Sequence, residues 1–338
     1  MGQKTMESAL NLIRQSASQD YQNRVPVATR DNLAQVGAAI LSYQAIANEF
    51  LVTAINRIGL VWVRNKELRN PLEILKQGSF DLGTDVEEIG VNPAKAKTYN
   101  PTSTSLLTQS PPDVKTIYYR MNRQDMYPVT ISRQRMKGAF TGWDKLEQLF
   151  EAIVNSMYNG NYVDEFTLTK QLLGGAVTDG VCLTETVILP ENEATGKVFA
   201  KTARQYFTNF QIPSSNYNKY SSMTGATGDP YITRSDADDI RFVLRSDVDA
   251  VMDVDVLAAA FNMDRAKLLG RMLIVDNFAS GTNIVGMMFD KSFTQIWDNL
   301  KEVTEFQNGE NLNWNYYLHV WQTWGCSPLA NAVAFVTA

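Results

Sequence analysis

A long stretch of this chain, residues 78–135, is too poor in apolar residues to form a closed core of its own. Glycines and prolines interrupt it repeatedly: Gly83, Gly90, Pro93, Pro101, Pro111 and Pro112. Within it, Val114 to Met121 alternates in the manner of a strand, with Tyr119 on one face and Tyr118 on the other. A two-stranded ribbon is at best marginally stable in water, so we expect another part of a structure to stabilise it. The stretch is either a long surface loop or an arm that lies on a neighbouring subunit.

The clearest helix of the sequence begins at Thr141. Thr141 and Asp144 resemble a capping box, and apolar residues then recur at helical spacing. These residues are Leu146, Leu149, Phe150, Ile153 and Met157. Asn159-Gly160 should weaken the helix, but the pattern resumes and ends before Gly174-Gly175. A helix continuous to Leu173 would be about 50 Å long and would act as a spine.

The two ends of the chain differ in character. Residues 1–30 are polar and weakly patterned, which predicts an arm or a tail. Asp31 is then predicted to cap a helix with apolar positions at Leu33, Val36, Ile40, Tyr43 and Phe50.

The C-terminal third of the sequence predicts a compact α+β block. Its predicted strands are 240–244, 248–254, 272–275 and 329–336, its helix is 256–269, and Asn308-Gly309 joins the hairpin segments 292–306 and 312–324. The all-apolar strand 272–275 is expected to be central.

Composition and charge limit the classes of protein to which this chain can belong. The 338 residues are 44% hydrophobic and 20% charged, a globular balance. A formal net charge of −5 argues against a dedicated nucleic-acid binder but is compatible with a container for nucleic acid. Cys182 and Cys326 form no CxxC pattern, and the start of the chain lacks the apolar core of a signal peptide. The stretch 51–63 is too short to span a bilayer. We therefore expect a reduced, unsecreted protein with no membrane partner.

Residues that could carry chemistry have better structural explanations. His319 is the only histidine, and its place in the aromatic run from Trp314 to Trp324 favours packing over catalysis or base stacking. The acidic run Asp236, Asp238, Asp239, Asp247, Asp249, Asp253 and Asp255 lacks the spacing of a calcium loop. A solvated surface explains it better, with calcium at a subunit junction as the alternative. The sequence thus predicts no enzyme, no cofactor and no resident metal.

Three runs resemble the major head (capsid) proteins of short-tailed bacteriophages with small genomes. They are Val91–Pro101 (VNPAKAKTYNP), Ile240–Asp264 (IRFVLRSDVDAVMDVDVLAAAFNMD) and Leu318–Phe335 (LHVWQTWGCSPLANAVAF). The order of the predicted pieces also resembles the tailed-phage capsid fold of the Hong Kong 97 type. None of these runs is catalytic, and the resemblance as a whole covers most of the chain, from about Asp31 to Phe335.

The resemblance implies an α+β fold with four parts. Residues 1–70 would be the N-terminal arm and helix, and 71–138 the extended loop (E-loop). The peripheral domain would combine 139–180, which hold the spine helix, with 290–325. The axial domain would combine 181–289 with 326–338. The protein would then be built into a virion, in the phage head, after assembly in the host cytoplasm.

The implied function is self-assembly of many copies into an icosahedral shell that encloses double-stranded DNA through non-specific proximity. Scaffolding and portal proteins would be further partners. We expect Tyr118, Tyr119, Arg120 and Arg123 of the E-loop to be interface anchors, because aromatic and arginine side chains suit that role. The alternative is that they decorate an exposed edge strand. Other functions left open are an encapsulin-like nanocompartment for protein cargo, a portal or tail component that forms a ring, and an enzyme with an unfamiliar site.

Overall fold

A computed structural model describes residues 3–63, 68–98, 109–222, 230–251, 271–279, 283–308, 310 and 313–337. The chain divides into two compact units. Unit 1 comprises Met1–Asn70, Arg123–Glu165 and Asp298–Gln322, and unit 2 comprises Pro71–Asn122, Phe166–Trp297 and Thr323–Ala338. The expected E-loop, 71–138, is therefore divided, since its residues from Arg123 onward belong to unit 1. No helix within the described ranges is long and apolar enough to cross a bilayer.

Unit 1 begins with four helices rather than with an arm. They are α1 (Gln3–Ser16), α2 (Gln19–Arg24), α3 (Leu33–Ser42) and α4 (Gln44–Val63). Met6, Leu10 and Ile13 lie four and three residues apart, so they share one face of α1, and all three are buried. The expectation of an arm over residues 1–30 is thus wrong for α1 and α2, because a narrow apolar stripe was hidden among polar neighbours.

The helix predicted to follow Asp31 is interrupted once. Asn32, not Asp31, precedes α3, and its side chain makes no capping bond to the helix. Tyr43 has extended backbone angles and separates α3 from α4. Its ring is 57% exposed and lies under the guanidinium of Arg24, 4.5 Å from the ring centroid. Tyr43 is therefore not part of the apolar face to which its spacing assigned it.

The predicted spine helix is present as α6 (Trp143–Thr178), without a break at Gly160. Its 36 residues span about 54 Å at the usual rise of about 1.5 Å per residue. A Cβ at Gly160 would lie 3.3 Å from the ring of Tyr127, so glycine permits a close approach there. The expected capping box is absent, because the Thr141 hydroxyl donates to the Gly138 carbonyl of the preceding helix α5 (Arg133–Ala139).

The hairpin predicted around Asn308-Gly309 is confirmed by two long strands. These are β9 (Thr294–Asn308) and β10 (Asn313–Cys326), which form a four-stranded sheet in the order β1-β9-β10-β4 with β1 (Gly78–Ser79) and β4 (Met121–Ser132). Along β10 every second residue from Trp314 to Val320 is buried, as expected for a strand with one face on a core. Trp314 and Tyr316 are therefore core residues of unit 1.

Unit 2 is built on a five-stranded sheet in the order β5-β11-β8-β6-β7. Its strands are β5 (Leu183–Thr186), β6 (Ile240–Arg245), β7 (Met272–Val275), β8 (Ile284–Asp290) and β11 (Ala332–Val336). Helix α7 (Glu193–Phe210) contributes Phe199 and Phe207 to the core that β6 and β11 share. The strand β7 is at the edge of the sheet rather than in its centre, and Ile274 is accordingly 43% exposed.

The segment after β6 corrects a second strand prediction. Residues 246–251 form a short helix, α8 (Ser246–Val251), where alternating valines and aspartates predicted a strand from Val248 to Val254. Asp247 and Asp249 lie in its first turn, where the positive end of the helix dipole stabilises carboxylates. The helix predicted over 256–269 lies outside the described residues.

The packing of α3 on Phe140 yields a test. A Cβ at Gly37 would lie 2.5 Å from two side-chain carbons of Phe140, which is itself buried. We expect Gly37→Ala to lower the free energy of unfolding of the unassembled subunit by about 1–3 kcal/mol, as overpacking does. Gly138→Ala is the matched control, because nothing lies within 4 Å of its Cβ position. That change should be neutral or stabilise by up to about 1 kcal/mol. Equal urea-unfolding midpoints for the two variants would contradict this packing.

Candidate subunit interface

The E-loop segment contains a two-stranded ribbon within unit 2. Strands β2 (Val86–Val91) and β3 (Val114–Tyr119) pair antiparallel, in a register that places Val86 opposite Tyr119 and Val91 opposite Val114. Directly opposed residues share a face of such a pair. The ribbon therefore has an inner face, which contains Tyr119, and an outer face, which contains Tyr118.

The inner face of the ribbon is bonded to its own chain. Glu88 accepts a hydrogen bond of 2.6 Å from the Tyr119 hydroxyl and one of 2.7 Å from the Ser327 hydroxyl. Burial, followed by this bond to Glu88, raises the pKa of the Tyr119 phenol. Tyr119 is only 8% exposed, and a Cβ at Gly325 would lie 2.7 Å from its ring. Tyr119 therefore cannot serve as a surface anchor, which corrects the expectation from sequence.

The far end of the ribbon is also held. The Asn92 amide donates to a carboxylate oxygen of Asp113 at 2.6 Å and to the Pro230 carbonyl at 3.2 Å, and its oxygen accepts from the Ile232 amide at 3.0 Å. At Gly90, a Cβ would lie 2.8 Å from Leu329. The described strands are thus held by other segments of their own chain, as a surface loop would be, and need no neighbouring subunit to keep them in place. Residues 99–108 of the E-loop lie outside the described ranges.

Two of the other three predicted anchors, Tyr118 on the outer face and Arg120 just after the ribbon, are exposed. Tyr118 is 60% exposed and its hydroxyl donates to Glu87 at 3.0 Å. This hydrogen bond raises the pKa of the Tyr118 phenol. Just after the ribbon, the guanidinium of Arg120 contacts Asp85 at 3.0 Å, with 81% of the Arg120 side chain exposed. Both side chains are therefore accessible to another molecule.

Arg123, the fourth predicted anchor, lies inside unit 1 with 6% exposure. Its Nε donates to Asp125 at 2.6 Å, and its Nη2 donates to the Tyr127 hydroxyl at 2.7 Å and to the Asn161 oxygen at 3.2 Å. Its Nη1 donates to the Gln322 side chain. A buried cation is tolerated when it is paired and hydrogen-bonded in this way. Arg123 is an internal residue and not an interface anchor.

The same cluster buries a carboxylate. Glu165 is 2% exposed and lies 4.0 Å from the Arg123 guanidinium. One of its oxygens accepts bonds of 3.0 Å from the Asn161 amide and 2.8 Å from the Gln322 amide. Gln322 also donates to Asp298. The sequence analysis did not predict these partners. Two signals could have indicated them: Asn161 and Glu165 lie four residues apart and so share a helix face, and Gln322 is a polar residue within an apolar strand.

The other residues weighed for chemistry are engaged in ordinary contacts. His319 Nε2 lies 2.9 Å from the Thr304 hydroxyl across the β9–β10 hairpin. Burial raises the pKa of both cysteine thiols, that of Cys326 to about 12, which favours the protonated form of each. No group of three or more metal-ligating side chains converges among the residues whose positions are described.

Several aspartates of the acidic run pair with neighbouring cations of the same unit. Asp236 contacts Arg234 at 2.7 Å, and Asp247 contacts Arg245 at 2.6 Å. Asp239 pairs with Lys291 at 2.8 Å. Asp253 and Asp255 lie outside the described residues. Asp238 pairs with Arg271, so four of the described aspartates form ion pairs, in agreement with the solvated surface expected from sequence. Asp249 differs from them, because partial burial raises the pKa of its carboxyl.

Comparison with known proteins gives consistent matches. The family of Phi29-like phage major capsid proteins matches residues 10–336. The major capsid proteins of Bacillus phages B103 and PZA are 38% and 37% identical over 332 residues, which are 97% of this chain and 72% of each relative. The major capsid protein of Streptococcus phage Cp-1 is 26% identical, over 92% of this chain and 88% of its own.

Solved structures with the same fold come from other phages. A capsid structure of Staphylococcus phage Andhra superposes with a TM-score of 0.66 at 14% identity, over 81% of this chain and 85% of the other. A chain from native bacteriophage P68 gives 0.62 at 12% identity, over 81% and 86%. These matches confirm the expected α+β fold of tailed-phage capsids.

The contrast between two arginines three residues apart can be tested. We expect Arg123→Met to lower the free energy of unfolding by about 3–5 kcal/mol, because it leaves the buried Glu165 without its cation. The matched variant Arg120→Met removes an exposed ion pair and should cost no more than about 1 kcal/mol. Urea unfolding of the unassembled subunit measures both. If the two variants lost equal stability, the buried cluster would not be the internal support described here.

Proposed function

The chain belongs to the Phi29-like phage major capsid protein family, and from this membership we propose that its shell encloses double-stranded DNA. As a major capsid protein it forms the icosahedral head of the virion from many copies of itself. The observation that carries this function is the extent of the match, since the relatives cover nearly the whole chain and therefore both units.

Membership in a phage capsid family decides between the alternatives left open by the sequence. It favours a closed phage head over an encapsulin-like nanocompartment and over a ring of the portal or tail type. We further propose a purely structural role without catalysis. Support comes from the engagement of His319 with Thr304 and from the raised pKa of the thiols of Cys182 and Cys326.

The units suggest how the parts of the capsid fold are distributed in this chain. We propose that unit 1, with the hairpin β9–β10 and the first part of the spine helix, corresponds to the peripheral domain. Unit 2, with its five-stranded sheet, would correspond to the axial domain and would also hold the base of the E-loop. In this proposal the first 70 residues are an integral part of the peripheral domain, because their apolar side chains complete its core.

For subunit contacts, we retain Tyr118 and Arg120 of the four predicted anchors. Their exposure supports contact with a neighbouring copy, as aromatic and arginine side chains commonly provide. The DNA is proposed to be held by enclosure rather than by specific binding. A net charge of −5 supports this, because weak repulsion keeps the contents from adhering to the wall. Scaffolding and portal proteins are proposed as partners during assembly in the host cytoplasm.

Electron microscopy tests the proposed function directly. The chain would be expressed alone and, separately, with the products of its neighbouring genes, and particles would be viewed in negative stain. We expect closed icosahedral shells in at least one sample. Heads purified from infected cells should in addition protect double-stranded DNA from added nuclease. Monodisperse small rings in both expression samples, without shells or sheets, would contradict the shell, and heads that protect no DNA would contradict the contents.

A further inference from the structure

The edge strands of the two larger sheets differ in length. Three of them are short, since β1 has two residues and β5 and β7 have four each. The fourth edge strand, β4, has twelve residues. One side of β4 pairs with β10, and no strand within the described ranges pairs with its other side. In these two sheets, β4 is therefore the one long edge that lacks a second strand.

Strand β4 is held to β10 on both sides of Pro128. The Thr130 hydroxyl donates to the side chain of Asn315 at 2.7 Å, and the Arg123 guanidinium donates to the side chain of Gln322. The pairing with β10 therefore continues past the proline. A strand that is held along one side presents a row of backbone N–H and C=O groups on the other, which is a template for pairing with another chain.

The second half of β4 has the composition of a segment that pairs with copies of itself. Residues 126–132 read MYPVTIS, with no charged residue and with three β-branched ones. Uncharged windows of this length with strong strand propensity form intermolecular sheets when an edge exposes them. Met126 is accordingly 51% exposed. Within this window only Pro128 opposes such pairing, because proline has no backbone N–H to donate.

The position of Pro128 is selective. It is the only proline in any strand of the described residues, and it lies in the longest edge strand of the two larger sheets. Its side chain is exposed, so packing in the core does not explain its presence. A proline is tolerated within a sheet where its nitrogen faces an open edge, since no bond of the ladder is then lost.

We propose that Pro128 directs its nitrogen to the open edge of β4 and prevents this edge from pairing with the same edge of a second copy. Two identical edges would meet around a two-fold axis, so both copies would lack the same donor near the middle of the strand. Pairing of this kind would compete with the contacts that close a shell, because it leaves subunits joined through their sheets. The inference concerns the unassembled subunit and goes beyond the proposed function.

The test restores the missing donor. Pro128→Val supplies a backbone N–H together with a side chain that suits a strand. Pro128→Lys supplies the same N–H but adds a charge, which opposes edge pairing by another route. Pro213→Val is the matched control, because Pro213 is an exposed proline outside the strands. Sedimentation velocity measures self-association under conditions in which the wild type stays unassembled, and circular dichroism verifies that each variant is folded.

We expect Pro128→Val to self-associate on the order of ten-fold or more tightly than the wild type, because each paired copy regains a hydrogen bond. Pro128→Lys and Pro213→Val should behave like the wild type. A folded Pro128→Val that associates no more than the wild type would overturn the proposal. Equal association of the two variants at position 128 would also overturn it, because loss of the proline ring would then be the cause. Shell formation is scored separately, so these outcomes leave the proposed function intact.

A second measurement uses the wild type and covers the case in which Pro128→Val does not fold. Hydrogen exchange of the unassembled subunit, resolved residue by residue, reports which backbone amides of β4 are bonded. We expect protection at alternate residues, which bond to β10, and fast exchange at the residues between them. Protection of nearly every amide of β4 would show that its second side is already covered, and the proposal would then be wrong.

Discussion

The buried guanidinium of Arg123 is the constraint on which the arrangement of unit 1 depends. A cation this deep must be paired and hydrogen-bonded, and its partners come from β4, α6 and β10. The chain passes between the two units at several points. At four of them, the last or first residue of unit 1 belongs to this cluster; these residues are Arg123, Glu165, Asp298 and Gln322. Because this one buried cation must be paired and hydrogen-bonded, it holds β4, α6 and β10 together near the points where the chain enters or leaves unit 1.

In the ribbon of unit 2, one face is bonded to the rest of the chain and the other face is exposed. The inner face is held by polar bonds to Glu88 and by glycines that permit close contact, so the ribbon keeps its position before any neighbour binds. The outer face carries Tyr118, which we propose to contact a neighbouring copy together with the adjoining Arg120. A capsid subunit needs both properties, because the free subunit must fold on its own and the shell must still gain free energy from each added copy.

Much of the local structure was predictable because it depends on short-range patterns. The spine helix, the β9–β10 hairpin and strand β6 follow from periodicity and turn residues, which act within a few positions of the chain. The predicted secondary structure was wrong where two patterns competed or where one pattern was weak. Residues 246–251 alternate like a strand, yet their aspartates suit a helix start. In α1, three buried residues at helical spacing were too few among polar neighbours to be recognised.

The sequence by itself determined the fold class, through its periodicities and its resemblance to phage head proteins, and it located one strand, β3, of the two-stranded ribbon. It did not determine which side chains in and after that strand are exposed and which are buried. Arg120 and Arg123 are the same residue type, three positions apart, yet one is exposed and the other is enclosed by groups from distant segments. Only the tertiary structure decided this difference, because burial and hydrogen bonding depend on residues far away in the chain, and no local pattern records them.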